Sequence, residues 1–154
     1  MTHVLKQFHL QSEEQTKALG TSLSGIIRRG NCILLKGQIG AGKSTLARAF
    51  IRARLGQDTE VPSPTFTLVQ VYDDAECEIW HSDLYRLGDA HEAVELGLID
   101  ALGEQICLIE WPELLRDLVP NDALTIEMSV EESGHLAVLT GDGAWQHRIE
   151  RLVY

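Results

Sequence analysis

Residues 37–44 read Gly37-Gln38-Ile39-Gly40-Ala41-Gly42-Lys43-Ser44 and fill every fixed position of the phosphate-binding loop pattern G-x-x-x-x-G-K-[ST]. The glycines allow a tight main-chain turn that presents successive N–H groups. Lys43 brings a positive charge for β- and γ-phosphates, and the Ser44 hydroxyl can ligate Mg²⁺. A chance match of four fixed positions in a chain of this length has odds on the order of one in a hundred, and the flanks lower them. Upstream, Cys32-Ile33-Leu34-Leu35 is a short apolar run suited to a strand buried on both faces. Downstream, Leu46, Ala47, Phe50, Ile51 and Leu55 recur at helical spacing, and Gly56 supplies a stop. Strand, loop and helix therefore come in the order that sets phosphates on a helix N-terminus. The glycines run G-x-x-G-x-G, the reverse of the dinucleotide fingerprint, so a nucleoside triphosphate is the better ligand class.

Working outward, Ser12 with Gln15 forms a capping box. Leu19, Leu23, Ile26 and Ile27 then make an apolar stripe running to Arg28-Arg29-Gly30, which predicts a first amphipathic helix. Beyond the loop-helix, Phe66 to Tyr72 and Cys77 to His81 alternate around a polar turn at residues 73–76, predicting an antiparallel hairpin. Asp89 with Glu92 caps a helix that stops near Gly97, and a less regular stretch follows at residues 98–102. Ile106-Cys107-Leu108-Ile109 is a second wholly apolar strand, closed by Pro112. A short helix over 113–118 and two strands over 124–130 and 136–140 complete the pattern, while residues 145–153 suit strand and helix equally. Together these elements predict an α/β chain: a single-domain P-loop NTPase-like fold over residues 1–154, with a mixed sheet and helices on both faces.

The composition agrees with one domain, since 154 residues at 44% hydrophobic can bury one ordinary core and no linker divides them. Formal charge is −10 with only four lysines, which disfavours direct binding to a nucleic-acid backbone. Cys32, Cys77 and Cys107 lie in apolar runs at spacings that suit neither zinc nor a redox pair, so they read as buried thiols in a reducing cytoplasm. No apolar stretch reaches the roughly 20 residues of a membrane helix.

Mg²⁺ on a triphosphate needs a second hard oxygen besides Ser44, and Glu110, an acid directly after a buried apolar strand, is the candidate. His81-Ser82-Asp83-Leu84-Tyr85-Arg86 also leaves a strand. Asp83 suits either an orienter of water at the metal or γ-phosphate, or a turn cap. Arg86 is read first as a structural partner of Asp83 or Glu95, ahead of a cis arginine-finger role. Pro62-Ser63-Pro64-Thr65 suits a γ-phosphate-sensing loop carrying the Thr65 hydroxyl, or a rigid turn. Trp80, Trp111 and Trp145 read as core or partner-facing aromatics.

These strings resemble one family, the TsaE (YjeE) ATPases of bacterial tRNA threonylcarbamoyladenosine biosynthesis. The resemblance is carried by the loop through Thr45, by Ser63-Pro64-Thr65-Phe66-Thr67-Leu68, by His81-x-Asp83-Leu84-Tyr85-Arg86-Leu87 and by Ile109-Glu110-Trp111-Pro112. It implies that Gly37, Gln38, Ile39, Gly40, Ala41, Gly42, Lys43, Ser44 and Thr45 bind ATP, with Glu13 near the nucleoside. It further implies that Ser44 and Glu110 hold Mg²⁺ and that Asp83 and Thr65 act near the γ-phosphate, giving Asp83, Glu110 and Thr65 as the catalytic set. The same resemblance implies TsaD and TsaB partners that carry the transfer chemistry, tRNA contact only through them, and ATP turnover that depends on the complex. In the late hairpin many relatives carry Gly-Arg where this chain has Gly134-His135. Two other classes are weighed against an ATPase. A small-molecule kinase would bring lid arginines, whereas only Arg116, Arg148 and Arg151 follow Arg86. A nucleotide-gated binding module would hold ATP without turnover.

Overall fold

The computed structural model describes residues 2–153. Seven strands form one sheet: β1 (His3–Leu10), β2 (Cys32–Lys36), β3 (Val69–Asp73), β4 (Glu78–Asp83), β5 (Ile106–Glu110), β6 (Leu124–Glu131) and β7 (Gly134–Gly141). Their order across the sheet is β1-β7-β6-β2-β5-β4-β3. The middle four, β6, β2, β5 and β4, run parallel, while β1, β7 and β3 add antiparallel pairs at the edges. The helices are α1 (Glu13–Ser24), α2 (Lys43–Leu55), α3 (Ala90–Glu95), α4 (Leu98–Ala101) and α5 (Gln146–Ile149), with 3₁₀ segments at Pro112–Leu118 and Gly143–Trp145.

β2 and β5 are continuous apolar runs because both their faces are covered. Side chains alternate across a strand. Ile33 and Leu35 of β2, with Ile106 and Leu108 of β5, join Leu19 and Leu23 of α1, Phe50 and Ile51 of α2, and Ile149 of α5 in one core. Cys32, Leu34, Cys107 and Ile109 point the other way and pack with Ala93 of α3, Leu98 of α4 and Leu115. The expected mixed sheet with helices on both faces is therefore present. Gly20 lets α1 lie close on α2, since a Cβ there would meet the Leu46 carbonyl oxygen at 2.5 Å.

The structure departs from the sequence expectation in three places and settles a fourth that the sequence left open. β1 was not anticipated. It is an edge strand that buries only Phe8 and Leu10 deeply, and its partner β7 lies more than a hundred residues along the chain. α1 ends at Ser24, before Ile26 and Ile27, because Gly25 turns its N–H back onto Leu23 and Ser22; both isoleucines still reach the core. Arg54 of α2 donates to the carbonyls of Ser24 and Ile27 at 2.8 and 3.1 Å, supplying partners where the helix ends. The first strand of the hairpin begins at Val69 instead of Phe66, since the Leu68 N–H bonds to the Pro64 carbonyl at 2.7 Å in a turn and Leu68 itself has φ 70°. The ambiguous C-terminal stretch is helical as far as Ile149, with Trp145 seated in the first core and its Nε1 donating to the Asp122 carbonyl at 2.9 Å. Among the described residues, no helix is long and apolar enough to cross a membrane.

Candidate functional site

The phosphate-binding loop leaves the C-terminal end of β2 at the centre of the parallel strands, the end where open α/β sheets bind ligands. Gly37 takes φ 136° tight against the Met128 carbonyl of β6, a position with no room for a Cβ. The chain then turns through an Ala41 N–H bond to the Gln38 carbonyl and enters α2 with Gly42 as N-cap at φ 99°. Lys43 is only 5% exposed. Its Nζ bends back to donate to the carbonyls of Gly37 and Gln38, the latter at 3.0 Å. Burial lowers the Lys43 pKa, and the nearby carboxylates of Glu110, Asp83 and Glu113 oppose that shift.

Strand register brings the acids together. Asp83 ends β4 and Glu110 ends β5, and the two are paired positions on neighbouring parallel strands. Glu110 also sits opposite Leu35, one residue before the end of β2. One oxygen of its carboxylate, Oε1, accepts from Ser44 Oγ at 3.0 Å, and Oε2 accepts from His81 Nε2 at 2.7 Å. Asp83 Oδ2 accepts from Thr65 Oγ1 at 3.3 Å, while its Oδ1 accepts from the Tyr85 N–H at 3.0 Å. The second contact is the turn cap that its sequence context suggested as one alternative. Thr65 Oγ1 also lies 2.7 Å from Ser63 Oγ. Arg86 pairs with neither Asp83 nor Glu95. Its guanidinium lies 4.5 Å over the ring of Phe66, a residue 79% exposed.

These groups line a cleft of about 610 Å³. Glu13, Ile39, Gly40, Gly42, Lys43, Ser44, Thr45, Thr65, Asp83 and Glu110 form its walls. Gly37, Gln38 and Ala41 do not. Gly37 and Gln38 shape the base of the loop, and the Ala41 side chain is buried in the core. The walls also include Thr16, Tyr85, Arg86, Trp111 and His135, none of which the sequence reading assigned to the nucleotide. Trp111 was expected in the core or facing a partner. It packs partly against the second core, and with a left-handed backbone, φ 57°, its indole also lies beneath Lys43 Nζ, 4.2 Å from the ring centroid, and 4.8 Å from the Tyr85 ring. Its position directly after Glu110 was the available signal. His135, reached by the β6–β7 hairpin, holds Nε2 3.3 Å from the Gly40 carbonyl at the loop tip. The late hairpin thus carries His135 to the loop.

A doubly buried strand that runs into this loop and then into a helix, amid four parallel strands, defines a P-loop-type α/β protein. The crystal structure of YdiB from Bacillus subtilis has the same fold, with a TM-score of 0.75 at 24% identity over 99% of this chain and 95% of that one. Residues 10–137 match the family model described as "Threonylcarbamoyl adenosine biosynthesis protein TsaE", and the chain belongs to the TsaE family. Among its relatives, the tRNA threonylcarbamoyladenosine biosynthesis protein TsaE of Rickettsia bellii is 37% identical over 79% of this chain and 84% of its own length. The protein of the same name from Bacillus subtilis is 36% identical over 73% and 70%.

Proposed function

We propose that this protein takes part in tRNA threonylcarbamoyladenosine biosynthesis as a subunit that binds ATP with Mg²⁺ and hydrolyses it in company with TsaD- and TsaB-type partners. The observation that carries the reading is the convergence of Lys43, Ser44, Glu110 and Asp83 on one side of the loop. The donor set suits the metal. Ser44 Oγ and Glu110 Oε1 are adjacent hard oxygens at the cleft wall, of the kind that would hold Mg²⁺. When bound, Mg²⁺ neutralises charge on the β- and γ-phosphate oxygens.

The protein's own groups do the rest. The loop N–H groups and the N-terminus of α2 receive the phosphates, and the Lys43 ammonium exchanges the Gly37 and Gln38 carbonyls for phosphate oxygens. Asp83 orients water at the γ-phosphate, and Thr65, tied to Asp83, feels whether that phosphate is there. Hydrolysis then releases the loop around Thr65 and resets the grip on the partner proteins. A net charge of −10 suits a subunit that meets tRNA only through those partners, and three free cysteines suit a cytoplasmic setting.

The test is calorimetry with ATP and Mg²⁺, followed by phosphate release with and without the partner proteins. Uptake of ATP and partner-stimulated release support the reading. Absence of uptake overturns it, label transferred to a small molecule makes the protein a kinase, and tight binding without release makes it a gated binding module.

A further inference from the structure

Along β4, residues of one face follow the sequence Ile79, His81, Asp83. Ile79 belongs to the core beneath α2, so the pattern calls for another apolar residue at 81 before the cleft opens at 83. An imidazole stands there instead. Its side chain and that of Glu110 are each 2% exposed, and they meet through a 2.7 Å bond from Nε2 to Oε2. A carboxylate only accepts, so Nε2 carries the hydrogen of this bond. The other nitrogen, Nδ1, is buried without a partner. Buried polar atoms are normally satisfied, and a half-satisfied imidazole is a poor device for stability alone.

The geometry at Glu110 gives the imidazole a use. Glutamate has three rotatable bonds and a carboxylate that turns freely unless both oxygens are held. Here His81 takes Oε2 from inside the protein, and Oε1 is left beside Ser44 at the cleft wall. We infer that His81 is a positioning residue: it pins Oε2 of Glu110 and so reserves Oε1, with Ser44 Oγ, for the Mg²⁺ of a bound nucleotide. The inference rests on the Mg²⁺–ATP reading above. Outer partners of metal ligands act in this way, fixing the orientation of the group that touches the ion.

The experiment uses the whole chain and Mn²⁺ as a spectroscopic stand-in for Mg²⁺, titrated into the protein–ATP complex and followed by electron paramagnetic resonance. Affinity for ATP without metal is measured in parallel by calorimetry in chelator. Three substitutions are compared. His81→Gln can carry an amide N–H to the place of Nε2, His81→Asn has the same amide but falls short, and His81→Leu has none. The expected result is Mn²⁺ affinity weakened about ten-fold or more in the Asn and Leu variants and restored to within about three-fold by Gln, with metal-free ATP affinity unchanged. Wild-type Mn²⁺ affinity in the Asn and Leu variants overturns the inference, as does a Gln variant as weak as Asn. An equal fall in metal-free ATP affinity also overturns it. If the Leu variant does not fold, the contrast between Gln and Asn decides. A wild-type protein that takes up no ATP would sink the functional reading itself, whereas normal uptake with indifferent variants sinks only the role of His81.

Discussion

Lys43 Nζ stands 4.2 Å from the centre of the Trp111 ring, so the cation proposed to meet phosphate rests over an indole at the cleft wall. Arriving phosphates would draw that ammonium away from the ring and change the field at the indole. Addition of Mg²⁺–ATP should therefore shift the intrinsic fluorescence. Trp80 packs in the second core and Trp145 in the first, and neither lines the cleft. The shift should survive Trp145→Phe and vanish in Trp111→Phe; a signal that persists without Trp111 would contradict the assignment.

Lys43→Ala removes the charge that faces the phosphates. ATP affinity should fall by roughly 10- to 100-fold, the worth of one charge-assisted hydrogen bond in a part-buried site. Folding should not suffer, because an ammonium held at 5% exposure with a burial-lowered pKa is no asset to the empty protein. Calorimetry and a thermal melt together check both halves. Undiminished ATP affinity would rule out the loop as the working site.

Glu110→Ala deletes one of the two hard oxygens at the proposed metal position while Ser44 remains. Metal-free ATP binding should persist, and phosphate release should need a Mg²⁺ concentration higher by about ten-fold or more. Phosphate release titrated against Mg²⁺ tests this. A titration curve superimposable on that of the wild type would discard Glu110 as a ligand.

Arg54 and Asp74 form a 2.7 Å ion pair whose side chains are only 12% and 4% exposed, tying α2 to the turn between β3 and β4. The hydrogen bond from the Arg54 guanidinium holds the Asp74 carboxyl below the usual carboxylate range. A depressed folded-state pKa means stability that is fully present above the ordinary carboxylate value of about 4 and is lost as pH falls through the folded value. Asp74→Ala should cost about 2 kcal/mol at pH 7, since it removes the charge-assisted bonds of a half-buried guanidinium that keeps its Ser24 and Ile27 carbonyl partners. Urea unfolding should show the gap between variant and wild type narrowing below about pH 4. A gap that stays constant down to pH 2 would count against the pair.

Much of the candidate site was legible because its signals are local. The loop octet, the apolar runs of β2 and β5, and the acids that end β4 and β5 are each contiguous, and periodicity with steric rules reads contiguous residues well. Arg86 shows where that reading fails. Two acids close in sequence, Asp83 and Glu95, looked like its partners, yet the turn after Pro64 delivers the Phe66 ring, and the guanidinium lies over it. β1 was missed for a related reason. Leu5 and Lys6 break the alternation of this edge strand where its pairing with β7 is irregular, between Val4 and Lys6, so the strand carries little signal until β7 supplies its hydrogen bonds.

From residue order alone came the identity of the ligand cradle, the fold class and the candidate acids, since a phosphate loop works through main-chain turns that nearby glycines dictate. Tertiary structure decided the company those residues keep. Sheet register sets Asp83 beside Glu110 and brings His81 onto it from 29 residues away. A left-handed residue turns Trp111 under Lys43, and a distant hairpin carries His135 to the loop tip. Contacts of that kind depend on how separate strands are aligned, and no short-range pattern along one chain encodes that alignment.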